Sequence, residues 1–274
     1  MHTMFSSPQK MWVFDIDGVL TDPEEKKITR PEIFIELIKR LKQNEPIGLN
    51  TGRSLAFIEQ EILTPLRKVI DTPELLRLLF PVGEYGGVWM TYEKNGTFRT
   101  YIDSTISFPT DMQQKITNIV KEQFTDIVFV DPDKKTMMSL ELCKGKTVHD
   151  FQKITPVLLS LIDAILKQSQ IQNAWSVHVT RICIDIQLSH FGKHHGMKKL
   201  FELIQQSRID PKEYLTFGDS ASDYAMHEAI EKTGKPSHFV FVGEPEQLQG
   251  KDIQNCEFPS RHCDAGTLEY LQTH

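Results

Sequence analysis

Short apolar segments alternate with amphipathic segments in the first part of the chain. Met11–Phe14 is an uninterrupted apolar run that ends at Asp15, which is typical of a strand buried on both faces of a parallel sheet. Residues 31–41 instead repeat their apolar side chains at the spacing of one helical face. The same reasoning predicts a strand over 46–50, a helix over about 55–63 and a strand over 78–82. This alternation indicates the βαβ units of a doubly wound sheet.

The pattern changes after residue 83. Val88–Tyr92 and Thr97–Ile102 flank Asn95-Gly96, a dipeptide favoured in tight hairpins. Beyond this hairpin the sequence predicts a helix that begins with a capping box of Thr110 and Gln113, strands over 127–130, 136–142, 175–179 and 182–188, and a helix over 149–167. Consecutive hairpins and helices of this kind indicate an inserted α+β domain.

The βα alternation returns after His190. A helix is expected over 197–205, and strands over 214–217 and 238–242. The predicted fold class is therefore α/β, with a doubly wound, mostly parallel Rossmann-like core sheet and an inserted α+β cap domain. We expect residues 1–84 and 191–274 to form the core, and residues 85–190 to form the cap.

Composition and charge narrow the classes of partner. The chain has 274 residues, 39% of them hydrophobic, which is enough apolar material for a buried core. Acidic residues outnumber basic ones 37 to 31, so we expect neither a nucleic acid nor a membrane as a partner. No apolar run is long enough for a signal-peptide core or a membrane span, and the four cysteines lack the spacing of a disulfide framework. These features favour a cytoplasmic protein. A monomer and a homodimer both stay open.

Four carboxylates are the first candidates for chemistry. Asp15 and Asp17 follow the first predicted strand, and Asp219 and Asp223 follow the strand at 214–217. The carboxyl ends of parallel strands meet at one edge of a sheet, where ligands of open α/β folds bind. Carboxylates gathered there would repel one another unless a hard cation such as Mg²⁺ neutralised them. Taken singly, the first pair could instead form a turn, and the second could be a helix cap with a solvated neighbour.

Three further residues could bind a phosphate. Thr51 and Gly52 follow the second predicted strand and can offer a hydroxyl and backbone N–H groups, and Lys193 can supply a positive charge. Taken singly, a Thr-Gly pair is an ordinary strand-to-helix turn and a lysine is usually a solvated surface charge.

Taken in order, these residues resemble the four motifs of the haloacid dehalogenase (HAD) superfamily. The matching segments are DIDGVLTD at 15–22, NTGR at 50–53, KHHGMKKL at 193–200 and GDSASD at 218–223. His194 stands where glycine is usual in the superfamily, and Tyr85 stands where Asn or His is frequent. The position of the insertion is similar to that in the subfamily with a large α/β cap after the third core strand, which includes Cof-type and sugar-phosphate phosphatases.

The resemblance implies a role for each matched residue. Asp15 would attack phosphorus and form an aspartyl-phosphate, and Asp17 would serve as general acid and then as general base. Thr51, Gly52 and Lys193 would bind the transferring phosphoryl group. The metal site would comprise Asp15, Asp17 through its main-chain carbonyl, Asp219 and Asp223, and the cofactor would be Mg²⁺. The implied function is a phosphatase acting on a small phosphorylated metabolite, above all a sugar phosphate.

Substrate selection and two other functions stay open at this point. The candidate substrate contacts are Arg53, Glu141, Lys144 and Arg181; for the cap residues among them, a solvated sheet face is the more common explanation of such side chains. One alternative function is a phosphomannomutase-like sugar phosphomutase. Another, from a different class, is a non-catalytic phosphate-binding or regulatory protein.

Overall fold

The computed structural model describes residues 8–93, 95–248, 250 and 253–274. These residues form two compact units, one made of residues up to 101 together with 192–274, and the other made of residues 102–191. Both units contain helices and strands, and the central sheet of the larger unit is mostly parallel. The predicted α/β fold class is confirmed.

The strands and helices are numbered in chain order. The strands are β1 Lys10–Phe14, β2 Ile47–Asn50, β3 Leu79–Gly83, β4 Val88–Tyr92, β5 Phe98–Ile102, β6 Val128–Val130, β7 Met138–Leu142, β8 Trp175–Val179, β9 Cys183–Leu188, β10 Glu213–Gly218, β11 Ser237–Phe241 and β12 Cys256–Glu257. The α-helices are α1 Glu32–Lys42, α2 Leu55–Ile58, α3 Thr64–Val69, α4 Thr110–Ile119, α5 Val148–Gln168, α6 Lys193–Gln206, α7 Tyr224–Glu231 and α8 Cys263–Thr273. A π-helical turn, Glu59–Leu63, joins α2 to α3, and another, Val120–Phe124, extends α4.

The sheet of the larger unit has the order β12-β11-β10-β1-β2-β3-β4-β5. The strands from β12 to β3 run parallel, and β4 is antiparallel to β3. β1 lies in the middle and alternates its side chains between two apolar clusters. Trp12 and Phe14 pack in the cluster that includes α1 and α8, whereas Met11 and Val13 pack in the cluster that includes α6 and α7. Burial on both faces explains why this strand is an unbroken apolar run.

The β4–β5 hairpin belongs to the larger sheet. Val82 pairs with Trp89 and Gly83 with Val88, so β4 continues the sheet beyond β3. The sequence pattern predicted that the inserted domain begins at residue 85 and therefore includes this hairpin. In the structure the smaller unit begins at residue 102. The local pattern of a hairpin does not contain this information, because the same alternation suits the edge of either sheet.

The smaller unit consists of a four-stranded antiparallel sheet and two helices. Its strand order is β6-β7-β9-β8. Leu140 and Ile184 belong to the same apolar cluster as Phe151, Leu158 and Ile162 of α5, which therefore covers one face of the sheet. The alternate residues of the strands lie on the opposite face.

The predicted capping box at Thr110 is wrong. The N-cap of α4 is Pro109, without a side-chain hydrogen bond, so that Thr110 is already the first helical residue. A capping box occurs instead at α5, where Thr147 and Asp150 each bond the backbone N–H of the other. The motif predicted Thr110 as the N-cap, and the helix begins one residue earlier, with Pro109 as the N-cap.

Among the helices that the structure describes, none combines the length and the apolar character needed to cross a lipid bilayer.

Candidate functional site

Three carboxylates converge at the carboxyl edge of the larger sheet. Asp15 and Asp219 follow β1 and β10, which are neighbouring parallel strands with Phe14 opposite Phe217. The backbone N–H of Asp15 continues this pairing by donating to the Phe217 carbonyl at 3.0 Å. One oxygen atom from each of Asp15, Asp219 and Asp223 lies within 4.8 Å of the others. The predicted convergence of these three residues therefore occurs in the structure.

Local backbone geometry brings the three side chains together. Gly18 has a φ of +67°, and a Cβ atom there would lie 2.3 Å from Oδ2 of Asp219, so only glycine allows this approach. Asp223 is the N-cap residue of α7. Ser220 fixes its carboxylate, because the Ser220 N–H and hydroxyl donate to Asp223 Oδ2 at 3.0 and 2.7 Å.

The cluster carries too little positive charge for its carboxylates. Burial raises the pKa of Asp15 to about 8; Lys193 opposes this shift, and the neighbouring carboxylates of Asp223, Asp17 and Asp219 add to it. Burial and the charge of Asp223 likewise raise the pKa of Asp219 to about 7. A hard divalent cation with oxygen ligands would relieve this repulsion, so the donor set fits Mg²⁺.

Lys193 lies at the centre of the site. It is the first residue of α6, which begins four residues before the predicted start. The apolar pattern missed the first turn of this helix because that turn is polar. The ammonium nitrogen is 2.5 Å from Asp15 Oδ1 and 2.8 Å from Asp223 Oδ1. Burial would lower the pKa of Lys193, but the charges of Asp15 and Asp223 outweigh it and raise the pKa. The lysine is therefore a buried, permanently charged partner of two carboxylates.

Asn50 holds the lysine in place, and sequence analysis did not assign it a role. Its side-chain amide donates to the Lys193 carbonyl at 2.8 Å, and the Lys193 ammonium donates to the Asn50 carbonyl at 3.0 Å. A Cβ atom at Gly196 would lie 1.8 Å from the Asn50 side-chain oxygen, so α6 packs closely on this residue. The sequence contained one signal for this role, namely a polar amide side chain at the end of the otherwise apolar strand β2. All four residues of this strand are buried in the structure.

Asp17 and Arg53 form a separate pair beside the cluster. Arg53 donates from Nε to Oδ2 and from Nη2 to Oδ1 of Asp17, both at 2.8 Å. Burial would raise the pKa of Asp17, but the hydrogen bonds and the charge of Arg53 outweigh it and hold the pKa below its ordinary value. The Asp17 carboxylate is thus outside the three-carboxylate cluster, and Arg53, a candidate substrate contact, here engages Asp17.

The Thr51–Gly52 loop follows β2 directly. Thr51 is buried, and its hydroxyl accepts a hydrogen bond from the backbone N–H of Arg53 at 3.2 Å. The contact between Lys193 and the carbonyl of Asn50 places the ammonium next to the start of this loop. The structure therefore gathers Thr51 and Gly52 on the same side of the sheet as Lys193.

The remaining candidate residues lie in the smaller unit. Glu141 is on β7, opposite Cys183 of β9, and its side chain is half-buried. Lys144 follows β7 and Arg181 precedes β9, and both are exposed. The bond from the Leu142 N–H to the Ile182 carbonyl, at 2.9 Å, places these two segments at the same end of the sheet.

The arrangement in the larger unit suits phosphoryl transfer. It offers a carboxylate at a strand end, a buried lysine next to it and a donor set for a divalent cation. Phosphoryl transfer depends chiefly on positioning and on neutralisation of charge, and these groups provide both.

No protein-family model matches the sequence, and no curated protein matches it. Solved structures do match the fold over most of the chain. The C-terminal domain of a C. albicans trehalose-6-phosphate phosphatase has 15% identity and a TM-score of 0.64, covering 97% of this chain and 92% of that one. A haloacid dehalogenase-like hydrolase from Bacteroides thetaiotaomicron has 14% identity and a TM-score of 0.63, covering 97% and 99%.

A sucrose-phosphatase from Synechocystis sp. PCC6803, solved with sucrose and phosphate, has 15% identity and a TM-score of 0.55, and 97% of each chain is covered. At this level of identity the comparison concerns the fold. The protein therefore has the fold of haloacid dehalogenase-type phosphatases, as its four motifs had indicated.

Proposed function

We propose that the protein is a Mg²⁺-dependent phosphatase that hydrolyses a small phosphorylated metabolite through an aspartyl-phosphate on Asp15. The observation that carries this proposal is the position of the Lys193 ammonium, 2.5 Å from Asp15 and 2.8 Å from Asp223, beside a cluster of three carboxylates. One lysine offsets only one of the three negative charges, so the cluster retains a negative charge that a divalent cation would neutralise.

Asp15, Asp219 and Asp223 would hold the cation, with the main-chain carbonyl of Asp17. When bound, Mg²⁺ would neutralise the carboxylates and part of the charge on the phosphoryl oxygens. Asp15 follows β1 at the sheet edge, and its carboxylate oxygen would attack phosphorus in line with the leaving oxygen. Lys193 would bind the transferring phosphoryl group together with the Thr51 hydroxyl and the Gly52 N–H.

Asp17 would donate a proton to the leaving oxygen and then accept one from the attacking water. In the structure both of its carboxylate oxygens accept hydrogen bonds from Arg53. These bonds favour the ionised carboxylate, so they would weaken when Asp17 carries the proton for the leaving oxygen. Arg53 would thus position Asp17 between turnovers and move toward the substrate when the ester binds.

A sugar phosphate is the substrate class that we favour. Two of the similar folds belong to a trehalose-6-phosphate phosphatase and a sucrose-phosphatase. The smaller unit offers polar side chains on one face and at one end of its sheet, including Glu141, Lys144 and Arg181, which could select among sugar hydroxyls. We propose that this unit serves as the cap that determines specificity.

The test is phosphate release from p-nitrophenyl phosphate and from a panel of phosphorylated sugars, sugar acids and nucleotides. We expect turnover with Mg²⁺, its loss in EDTA and its return when Mg²⁺ is added again. Equal turnover in EDTA would contradict the role of the metal.

Two further experiments separate the alternative functions. Isomerisation of a sugar phosphate without release of phosphate, followed by ³¹P NMR, would show a phosphomutase. A long-lived phosphorylated protein without turnover, detected by intact-protein mass spectrometry after acetyl phosphate, would show a regulatory protein. Either result would overturn the proposed phosphatase.

A further inference from the structure

The turn between β3 and β4 has an unusual backbone. Three consecutive residues have positive φ angles: Glu84 at 46°, Tyr85 at 54° and Gly86 at 101°. Glycine adopts such angles readily, but residues with a Cβ atom do so at an energetic cost. A bulky tyrosine in this region is an outlier that the surrounding structure must hold in place, and such outliers cluster at functional sites.

Two neighbouring segments hold this turn. On one side, the N–H of Tyr85 donates to the Thr51 carbonyl and the N–H of Glu84 donates to the Arg53 carbonyl, both at 3.0 Å. On the other side, a Cβ atom at Gly86 would lie 3.2 Å from the carbonyl oxygen of His195, so the first turn of α6 packs against it. The turn is therefore fixed between the Thr51–Arg53 loop and the helix that begins with Lys193.

The phenol ring of Tyr85 lies directly on Gly52. A Cβ atom at Gly52 would be 2.8 Å from both the hydroxyl oxygen and Cζ of Tyr85. No side chain can occupy position 52 while the tyrosine is in this place. The contact brings a phenolic hydroxyl, which is a neutral hydrogen-bond donor, to the backbone of the loop assigned to phosphate.

We propose that the Tyr85 hydroxyl donates a hydrogen bond to the phosphoryl group held at Thr51 and Gly52. This inference rests on the proposed function, because it needs a phosphate at that loop. Asparagine or glycine would satisfy the backbone at position 85 with less strain, so the turn itself does not call for tyrosine. Phenylalanine would cover Gly52 equally well, but it would bring no hydrogen-bond donor to this loop.

The test compares Tyr85→Phe with the wild-type protein. Affinity for inorganic phosphate is measured by isothermal titration calorimetry in the presence of Mg²⁺, and the melting temperature is measured in parallel. We expect about tenfold weaker phosphate binding with an unchanged melting temperature, because the variant loses one hydrogen bond to a charged group. The matched control is Tyr101→Phe, which removes a phenolic hydroxyl from the edge strand β5 and should bind phosphate as the wild type does.

A Tyr85→Phe protein that binds phosphate as tightly as the wild type would overturn the inference and leave the proposed function intact. If the wild-type protein itself binds no phosphate and hydrolyses no ester, both proposals fall. Tyr85→Gly provides a second variant, since glycine adopts the left-handed conformation readily and has no side-chain donor. We expect it to fold and to bind phosphate at least tenfold more weakly, and wild-type affinity in this variant would also overturn the inference.

Discussion

The larger unit places charged side chains inside the protein, whereas the smaller unit leaves most of its candidate residues near water. Lys193 exposes only 7% of its surface and contacts two carboxylates, while Lys144 is exposed at the end of a strand. Both lysines were candidates in the sequence. The difference shows that Lys193 has exchanged water for two carboxylate partners, whereas Lys144 remains exposed to solvent.

The two sheets explain this difference. Parallel strands buried on both faces leave only their carboxyl ends for polar residues, so Asp15, Asp219 and Lys193 meet there. The antiparallel sheet of the smaller unit has helices on one face only, so polar residues can occur along the whole of the other face. We therefore expect substitutions to have large effects in the larger unit and graded effects in the smaller one.

The largest expected effect is that of Asp15→Asn. Without a carboxylate nucleophile, turnover of p-nitrophenyl phosphate should fall by more than about 10³-fold. The matched control is Asp71→Asn, which changes an exposed carboxylate that pairs with Lys42 and should keep the wild-type rate. Steady-state kinetics with Mg²⁺ provide the measurement, and a variant at position 15 with the full rate would remove Asp15 from the nucleophile role.

Lys193→Met should destabilise the protein strongly. The change leaves the carboxylates of Asp15 and Asp223 buried without their cation, which costs about 3 kcal/mol in the free energy of unfolding. Lys144→Met in the smaller unit should stay within about 0.5 kcal/mol of the wild type. Urea unfolding in EDTA compares the two variants, and equal losses would contradict the distinction between the units.

Asn50→Ala should have an intermediate effect. It removes the amide that donates to the Lys193 carbonyl, and the loss of this one hydrogen bond costs about 1 kcal/mol. Because the amide positions the first residue of α6, we also expect kcat to fall about tenfold. Asn173→Ala, at an exposed position of the smaller unit, is the control. An unchanged kcat in a destabilised Asn50→Ala protein would limit Asn50 to a purely structural role.

The smallest effect is expected for Glu141→Gln. If the smaller unit selects the substrate, the relative rates among sugar phosphates should shift by a few-fold. This is the size of effect expected from the loss of one polar contact at a partly exposed position. The rate with p-nitrophenyl phosphate should remain unchanged, because that ester has no sugar. Glu122→Gln, on an exposed turn of the same unit, is the matched control. An identical sugar profile in the Glu141→Gln protein would exclude this residue from specificity.

Much of the fold was accessible from local pattern. Examples are the apolar run of β1, the amphipathic face of α1 and the return of βα units after residue 190. In each case the residues that become buried can be recognised from the sequence of that one segment. The hairpin β4–β5 was also correctly predicted as a hairpin, but its assignment to the inserted domain differs from the compact units. The choice between two sheets depends on the pairing of Val82 with Trp89, which is a contact between segments.

The sequence alone determined which residues are candidates for the site, because carboxylates that follow apolar strands and a lysine in a matching motif can be identified from their order in the chain. Tertiary structure decided what those groups do to one another. It placed Lys193 between Asp15 and Asp223, paired Asp17 with Arg53, and laid Tyr85 on Gly52. These contacts join residues that are far apart in the chain, and electrostatic and steric effects depend on distance in space, which no local pattern records.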